Sequence, residues 1–171
     1  MLTSNILCAA VIALGIGGGN TPNTNSACRY MDHIIEESGK NNIDTSVMLA
    51  LIHHESRFKP KARSRANACG LTQILPRYTG SNKTGVPRLT CEQLFDPTTS
   101  ITMGARTLSF WYRTYARNKN LKVALCGYNA GYRCKGANPH PSGMRYARSV
   151  MRTSRKIKSK AKFLAKSVDE K

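Results

Sequence analysis

Nine carboxylates serve this chain of 171 residues: Asp32, Glu36, Glu37, Asp44, Glu55, Glu92, Asp96, Asp169 and Glu170. Any chemistry that needs an acid must use one of them. Drawn as a helix at about 100° per residue, Val47 to Phe58 gathers Val47, Met48, Leu51, Ile52 and Phe58 on one broad apolar face. Glu55 falls near the middle of that face. An ionised carboxylate there is expensive, so it must be paired, protonated or in use. Two readings stand side by side. One is an ion pair with Arg57 or with the arginine-rich loop that follows, Arg63 and Arg65. The other is a desolvated acid whose raised pKa suits proton donation near neutral pH. His53 and His54 adjoin Glu55, but no second histidine follows at the spacing of a zinc helix. No metal or cofactor is expected.

The elements that must position Glu55 read as helices. Ala27 to Gly39 carries Tyr30, Ile34 and Ile35 on one side, with Gly39 as its stop. Asp44 or Thr45 caps the helix that bears Glu55, which ends before Pro60. Lys59 to Gly85 is loop plus a short helix, with a short apolar piece at Leu71 to Leu75, and Cys91 to Phe95 is another short helix. Thr98 to Asn118 is a long helix through Ile101, Ala105, Leu108 and Trp111. Leu121 to Tyr128 is another, broken at Asn129-Ala130-Gly131. Gly136 to Gly143 is loop, and Gly143 to Ala165 is helical. No run alternates as a strand does, so the fold class is mainly α with few or no strands.

Charge and cysteines bound the setting. Lys plus Arg number 27 against nine acids, a net +18, which favours anionic polymers or surfaces. No nucleic-acid motif is present, so specific nucleic-acid binding is not expected. Ile6 to Ile16 is an apolar run of signal-peptide length ahead of Asn25-Ser26-Ala27, although Met1 to Asn5 lacks a basic residue. The expectation is an export signal over residues 1–27; the alternative is a buried or interfacial segment of the mature protein. Six cysteines fit an oxidising compartment. With Cys8 removed, Cys126–Cys134 and Cys69–Cys91 are the expected pairs and Cys28 is spare. Ser26-Ala27-Cys28 is similar to a bacterial lipoprotein site, with Asn25 where a larger apolar residue belongs.

Four stretches follow in order: Glu55-Ser56, Gly70-Leu71-Thr72-Gln73-Ile74-Leu75-Pro76, Ser100-Ile101-Thr102-Met103-Gly104, and Tyr128-Asn129-Ala130-Gly131. In them the chain resembles the catalytic domain of the soluble lytic transglycosylases, which are related to goose-type lysozyme. The match runs from about Ile43 to Val150. It implies a lysozyme-like α domain with a sugar-binding cleft, over residues 28–150. It also implies roles. Glu55 matches the catalytic acid/base, Ser64 a loop serine near that carboxylate, Gln73 a cleft glutamine and Leu75 an apolar cleft position. Tyr128 matches the tyrosine that hydrogen-bonds the catalytic glutamate, Asn129 and Gly131 shape its turn, and Tyr146 matches a late tyrosine. Thr72 stands where the family has Met, and Ser100 where it has Asn. Pro141 to Arg145 lacks the family's Glu-Thr.

The implied partner is the glycan strand of peptidoglycan. Glycosidases ordinarily use two carboxylates, whereas Glu55 is the only acid between Asp44 and Glu92. A single acid suffices if the muramic acid 6-hydroxyl is the nucleophile and the product is a 1,6-anhydromuramic end. A hydrolytic muramidase is the enzymatic alternative, and a cationic wall- or nucleic-acid-binding protein the non-enzymatic one. Residues 151–171 read as a basic tail, a frayed solvated helix or an anchor on an anionic surface. The location implied is periplasmic or extracellular, with membrane or virion association open. Oligomeric state is not legible.

Overall fold

The computed structural model of the protein describes residues 2–80, 88–116, 120–136 and 138–169. The end of the expected loop at 81–85, residue 137 of the next loop and the last residues of the expected long helix, 117 and 118, lie outside these. Eight α-helices carry the described chain: α1 (Ser4–Ala13), α2 (Ser26–Arg29), α3 (Met31–Lys40), α4 (Thr45–Ser56), α5 (Cys91–Leu94), α6 (Pro97–Thr114), α7 (Leu121–Ala130) and α8 (Pro141–Asp169). No strand forms among the described residues; two isolated bridges, Arg63 with Cys69 and Cys69 with Ile74, are the only β pairing there. The all-α expectation holds.

The hydrophobic centre is α4. Residues 46–52 are all buried, so the helix is packed on every side rather than on the one broad face its wheel suggests. The wheel counts apolar residues and cannot see how many neighbours arrive; here α3 and α8 both pack on it. Asp44 caps it, accepting from Ser46 N (2.9 Å) and Ser46 Oγ (2.7 Å). Gly39, expected to stop α3, is still helical; the left-handed residue at this turn is Asn42, at φ 53°. Asp96 caps α6 through Thr99 N (2.7 Å), with Pro97 pre-set at the first helical position. Gly127 of α7 lets Trp111 of α6 lie against its backbone.

Both ends of the described chain pack against the core. Leu7, Ala10 and Val11 of α1 are buried in the main core, and α1 packs on α8. Cys28 is not spare: it is bonded to Cys8. Buried Asn25 ties the segment further, donating to Ile16 O and Gly19 O at 2.7 Å each. The other two expected pairs, Cys69–Cys91 and Cys126–Cys134, are present. No helix among the described residues is long and apolar enough to cross a membrane. At the other end, α8 runs through residue 150 without a break. Val150, Ser154, Ile157 and Ala161 form a buried stripe, so this part of the expected frayed tail is an ordered helix. Its small residues read as weak apolar content in sequence, yet they permit close packing once α1 and α4 lie beside them.

Candidate active site

Glu55 sits in the last turn of α4, where the helix closes at Arg57 in the left-handed conformation (φ 51°, ψ 40°). It is partly buried. Its Oε1 accepts a 2.5 Å hydrogen bond from Tyr146 Oη on α8. Burial raises its pKa to about 7, with the Tyr146 hydroxyl pulling the other way by stabilising the charged form. Among the described residues Glu55 makes no ion pair, so neither Arg57 nor the arginine-rich loop neutralises it. Arg63 instead bonds Asn67 Oδ1 at 2.7 Å.

Tyr146 reaches Glu55 because α8 lies antiparallel along α4. Lys158 pairs with Asp44, Ser154 Oγ with Ser46 Oγ (2.7 Å) and Thr153 Oγ1 with His54 Nε2 (3.0 Å). These contacts precede the Tyr146–Glu55 bond along the pair of helices and fix its register. The His54 ring meets the Tyr146 ring edge-on at 6.4 Å. Burial lowers the pKa of His53 and of His54, which keeps positive charge away from the carboxylate.

Tyr128 does not play its expected part. Its hydroxyl donates to Thr72 O at 2.7 Å, and Tyr146 is the tyrosine that bonds Glu55. Tyr128 is nevertheless close: burial first, then the Glu55 charge, raises its pKa well above the tyrosine norm. It braces the block that begins at Gly70 against α7. The two departures from the family pattern meet in the same place. Ser100 Oγ accepts from Thr72 N (3.1 Å), and Thr72 Oγ1 donates to Ser100 O (2.6 Å). Both residues are fully buried, so each satisfies polar groups of the other. Their joint departure in sequence was the available signal for this contact, and reasoning from single residues misses it.

Ser64 is exposed, and its hydroxyl accepts from Ala68 N (3.0 Å), closing its own loop. Gln73 has φ 51°, and its Nε2 donates to Ala62 O (3.1 Å) and Gly70 O (3.0 Å). Leu75 is partly exposed just before the turn Pro76–Tyr78. Asn129 is exposed in the last turn of α7, which ends at Gly131 with φ 63°. The geometry therefore joins Glu55 and Tyr146 directly, and links Tyr128 to the Thr72–Gln73 block.

Tyr146→Phe tests this joint. Losing a hydrogen bond that favours the carboxylate lets the Glu55 pKa rise further. A step needing protonated Glu55 then persists to higher pH, so the basic limb of the pH–rate profile moves alkaline. A hydrogen bond to a charged group supports roughly a tenfold loss in kcat/KM. An unmoved limb counts against the assignment.

Comparison with known proteins bears out the family. The model of the transglycosylase SLT domain family matches residues 32–143, and the chain belongs to that family. It is 30% identical over 105 residues to the membrane-bound lytic murein transglycosylase E of Buchnera aphidicola, covering 58% of this chain and 47% of that protein. It is 36% identical over 117 residues to the membrane-bound lytic murein transglycosylase C of Photorhabdus laumondii, covering 61% and 32%. The chain thus spans less than half the length of these curated relatives. Among solved structures, an inactive mutant of the lytic transglycosylase Slt of Pseudomonas aeruginosa matches with TM-score 0.63 and 23% identity, over 80% of this chain and 25% of that one. The 70-kDa soluble lytic transglycosylase in complex with bulgecin A matches with TM-score 0.65 and 20% identity, over 91% and 28%. At that identity the likeness shows the fold, which is the lysozyme-like all-α one.

Proposed function

We propose that the protein is a peptidoglycan lytic transglycosylase that cleaves the β-1,4 bond between N-acetylmuramic acid and N-acetylglucosamine. The observation that carries this is a partly buried Glu55 whose pKa lies at about 7, so that it is partly protonated at neutral pH and can give a proton and take one back. Burial raises that pKa and the Tyr146 hydrogen bond opposes the rise; among the described residues no second carboxylate figures in the shift. A one-acid mechanism fits this. Glu55 donates its proton to the glycosidic oxygen as the bond from that oxygen to the muramic acid anomeric carbon breaks. The ionised Glu55 then accepts the proton of the 6-hydroxyl as its oxygen bonds the same carbon. Atoms balance without water, and the product ends in 1,6-anhydromuramic acid. A hydroxyl held on the substrate itself gains from proximity. Tyr146 Oη holds the carboxylate through both transfers.

Ser64, Gln73, Leu75, Asn129 and the Tyr128 turn are assigned to the glycan cleft on the family's pattern. The family membership and the curated relatives' names support the substrate. Three disulfides support action in an oxidising compartment outside the cytoplasm.

Digestion of purified peptidoglycan followed by mass spectrometry is the test. Fragments ending in anhydromuramic acid are expected. Reducing ends, heavier by one water, would instead make the protein a hydrolytic muramidase.

A further inference from the structure

The outer face of α8 is unused by the reaction. From Arg145 to Lys166 the helix carries nine cations and no acid, and the one ion pair it makes among the described residues is Lys158 with Asp44. At about 100° per residue, every other cation in that span falls within an arc of roughly 160°, over a length of about 30 Å. Arg148, Arg152, Arg155, Lys162 and Lys166 are all exposed on it. The arc faces away from the buried stripe of Val150, Ser154, Ile157 and Ala161. Near its middle stands Phe163, 63% exposed, with Lys160 Nζ 5.3 Å from its ring centroid.

We propose that this face docks the protein on an anionic phospholipid bilayer. Lysines and arginines on a straight helix bind a plane of anionic headgroups, and their aliphatic stems let the charges stay in the headgroup layer. A lone exposed phenylalanine amid them has no use for a hydrated polyanion backbone, but it enters the acyl boundary of a membrane. Orientation favours the same partner. Tyr146 projects about 130° around the helix from the centre of the cationic arc. A strand lying along the arc passes the Glu55–Tyr146 pair by, whereas a flat surface there leaves that pair open to the wall side. Docking therefore holds the enzyme at the membrane without blocking its site.

The test uses the full chain and sedimentation with vesicles, and does not depend on catalysis. Binding is expected to vesicles of phosphatidylglycerol mixed with phosphatidylcholine, and not to phosphatidylcholine alone; added salt releases it. The triple variant Arg152→Gln, Arg155→Gln, Lys162→Gln is expected to bind roughly 100-fold more weakly, at about fivefold for each cation at an anionic surface. Phe163→Ser is expected to lose roughly tenfold. All four positions are exposed, so circular dichroism should report unchanged helix. Equal binding to both vesicle types, or wild-type binding by both variants, overturns the proposal. So does tighter binding to polyphosphate or DNA than to the anionic vesicles with Phe163→Ser unaffected, which assigns the face to a soluble polyanion.

Discussion

Glu55→Gln is expected to fold normally and to cleave peptidoglycan roughly 10³- to 10⁴-fold more slowly, the scale of a positioned acid/base that acts in both proton transfers. Turbidity loss of purified peptidoglycan measures it, and substantial surviving activity rules out the role. The amide keeps the shape of the carboxyl and still accepts from Tyr146 Oη, but it neither gives nor takes the proton. The same substitution has a second consequence, in stability. The pKa of Glu55 is about 7 in the folded protein against an ordinary 4.5. Between those values the unfolded chain releases the proton while the folded chain keeps it. The protonated acid therefore supports the fold fully below pH 4.5, and that contribution is lost as pH rises to 7 and beyond. Gln has no such dependence. Relative to wild type, the variant should be equally stable in acid and more stable above pH 7, by on the order of 2 kcal/mol after allowing for partial exposure. Denaturant titrations at acid and alkaline pH read this directly. A variant that loses activity and gains alkaline stability carries the signature of a carboxyl held out of water for function.

Gly70→Ala is expected to be strongly destabilising. Gly70 has φ +79°, which alanine adopts only with strain. Its Cβ would also collide with the backbone carbonyl oxygen of Leu94 and lie 2.6 Å from Ser100 Oγ. The backbone carbonyl cannot swing aside as a side chain does. Relief requires moving Gly70 off Ala62 O, to which its N–H donates at 2.9 Å, or breaking the Thr72–Ser100 contact. Strain and overpacking together cost about 3 kcal/mol or more, a fall in Tm of roughly 10 °C for a chain of this size. The Gly70–Leu75 block accepts the Tyr128 hydroxyl, so activity falls with it. Gly39→Ala is the matched control: nothing lies within 4 Å of its Cβ, and in a helix the change should be neutral or stabilising. Equal melting temperatures for the two variants would remove the steric explanation.

Much of this was legible in the residues. The helix bearing Glu55, its cap at Asp44 and the break at Gly131 are local signals, each decided by groups within a few residues. Two cysteine pairs could be proposed from residue order. The third could not, because Cys8 lies in the apolar run read as an export signal, and only the packing of α1 on α3 and α8 brings it into the fold. Likewise α4 read as having one apolar face, because a wheel shows where apolar residues point and not how many helices surround them.

By itself the sequence determined that this is a mainly α chain with one acid at the end of an apolar helix and a surplus of cations. Composition and local periodicity carry such information, since both are written in residue order. Only the tertiary structure decided which tyrosine serves that acid. Tyr128 and Tyr146 both lie near Glu55, and both have pKa values raised by burial and then by its charge. The choice of Tyr146 is made by the register of α8 on α4, through Lys158 with Asp44 and Ser154 with Ser46. Those contacts join residues about a hundred positions apart, and the register of two packed helices is a property of their fitted surfaces rather than of either helix alone.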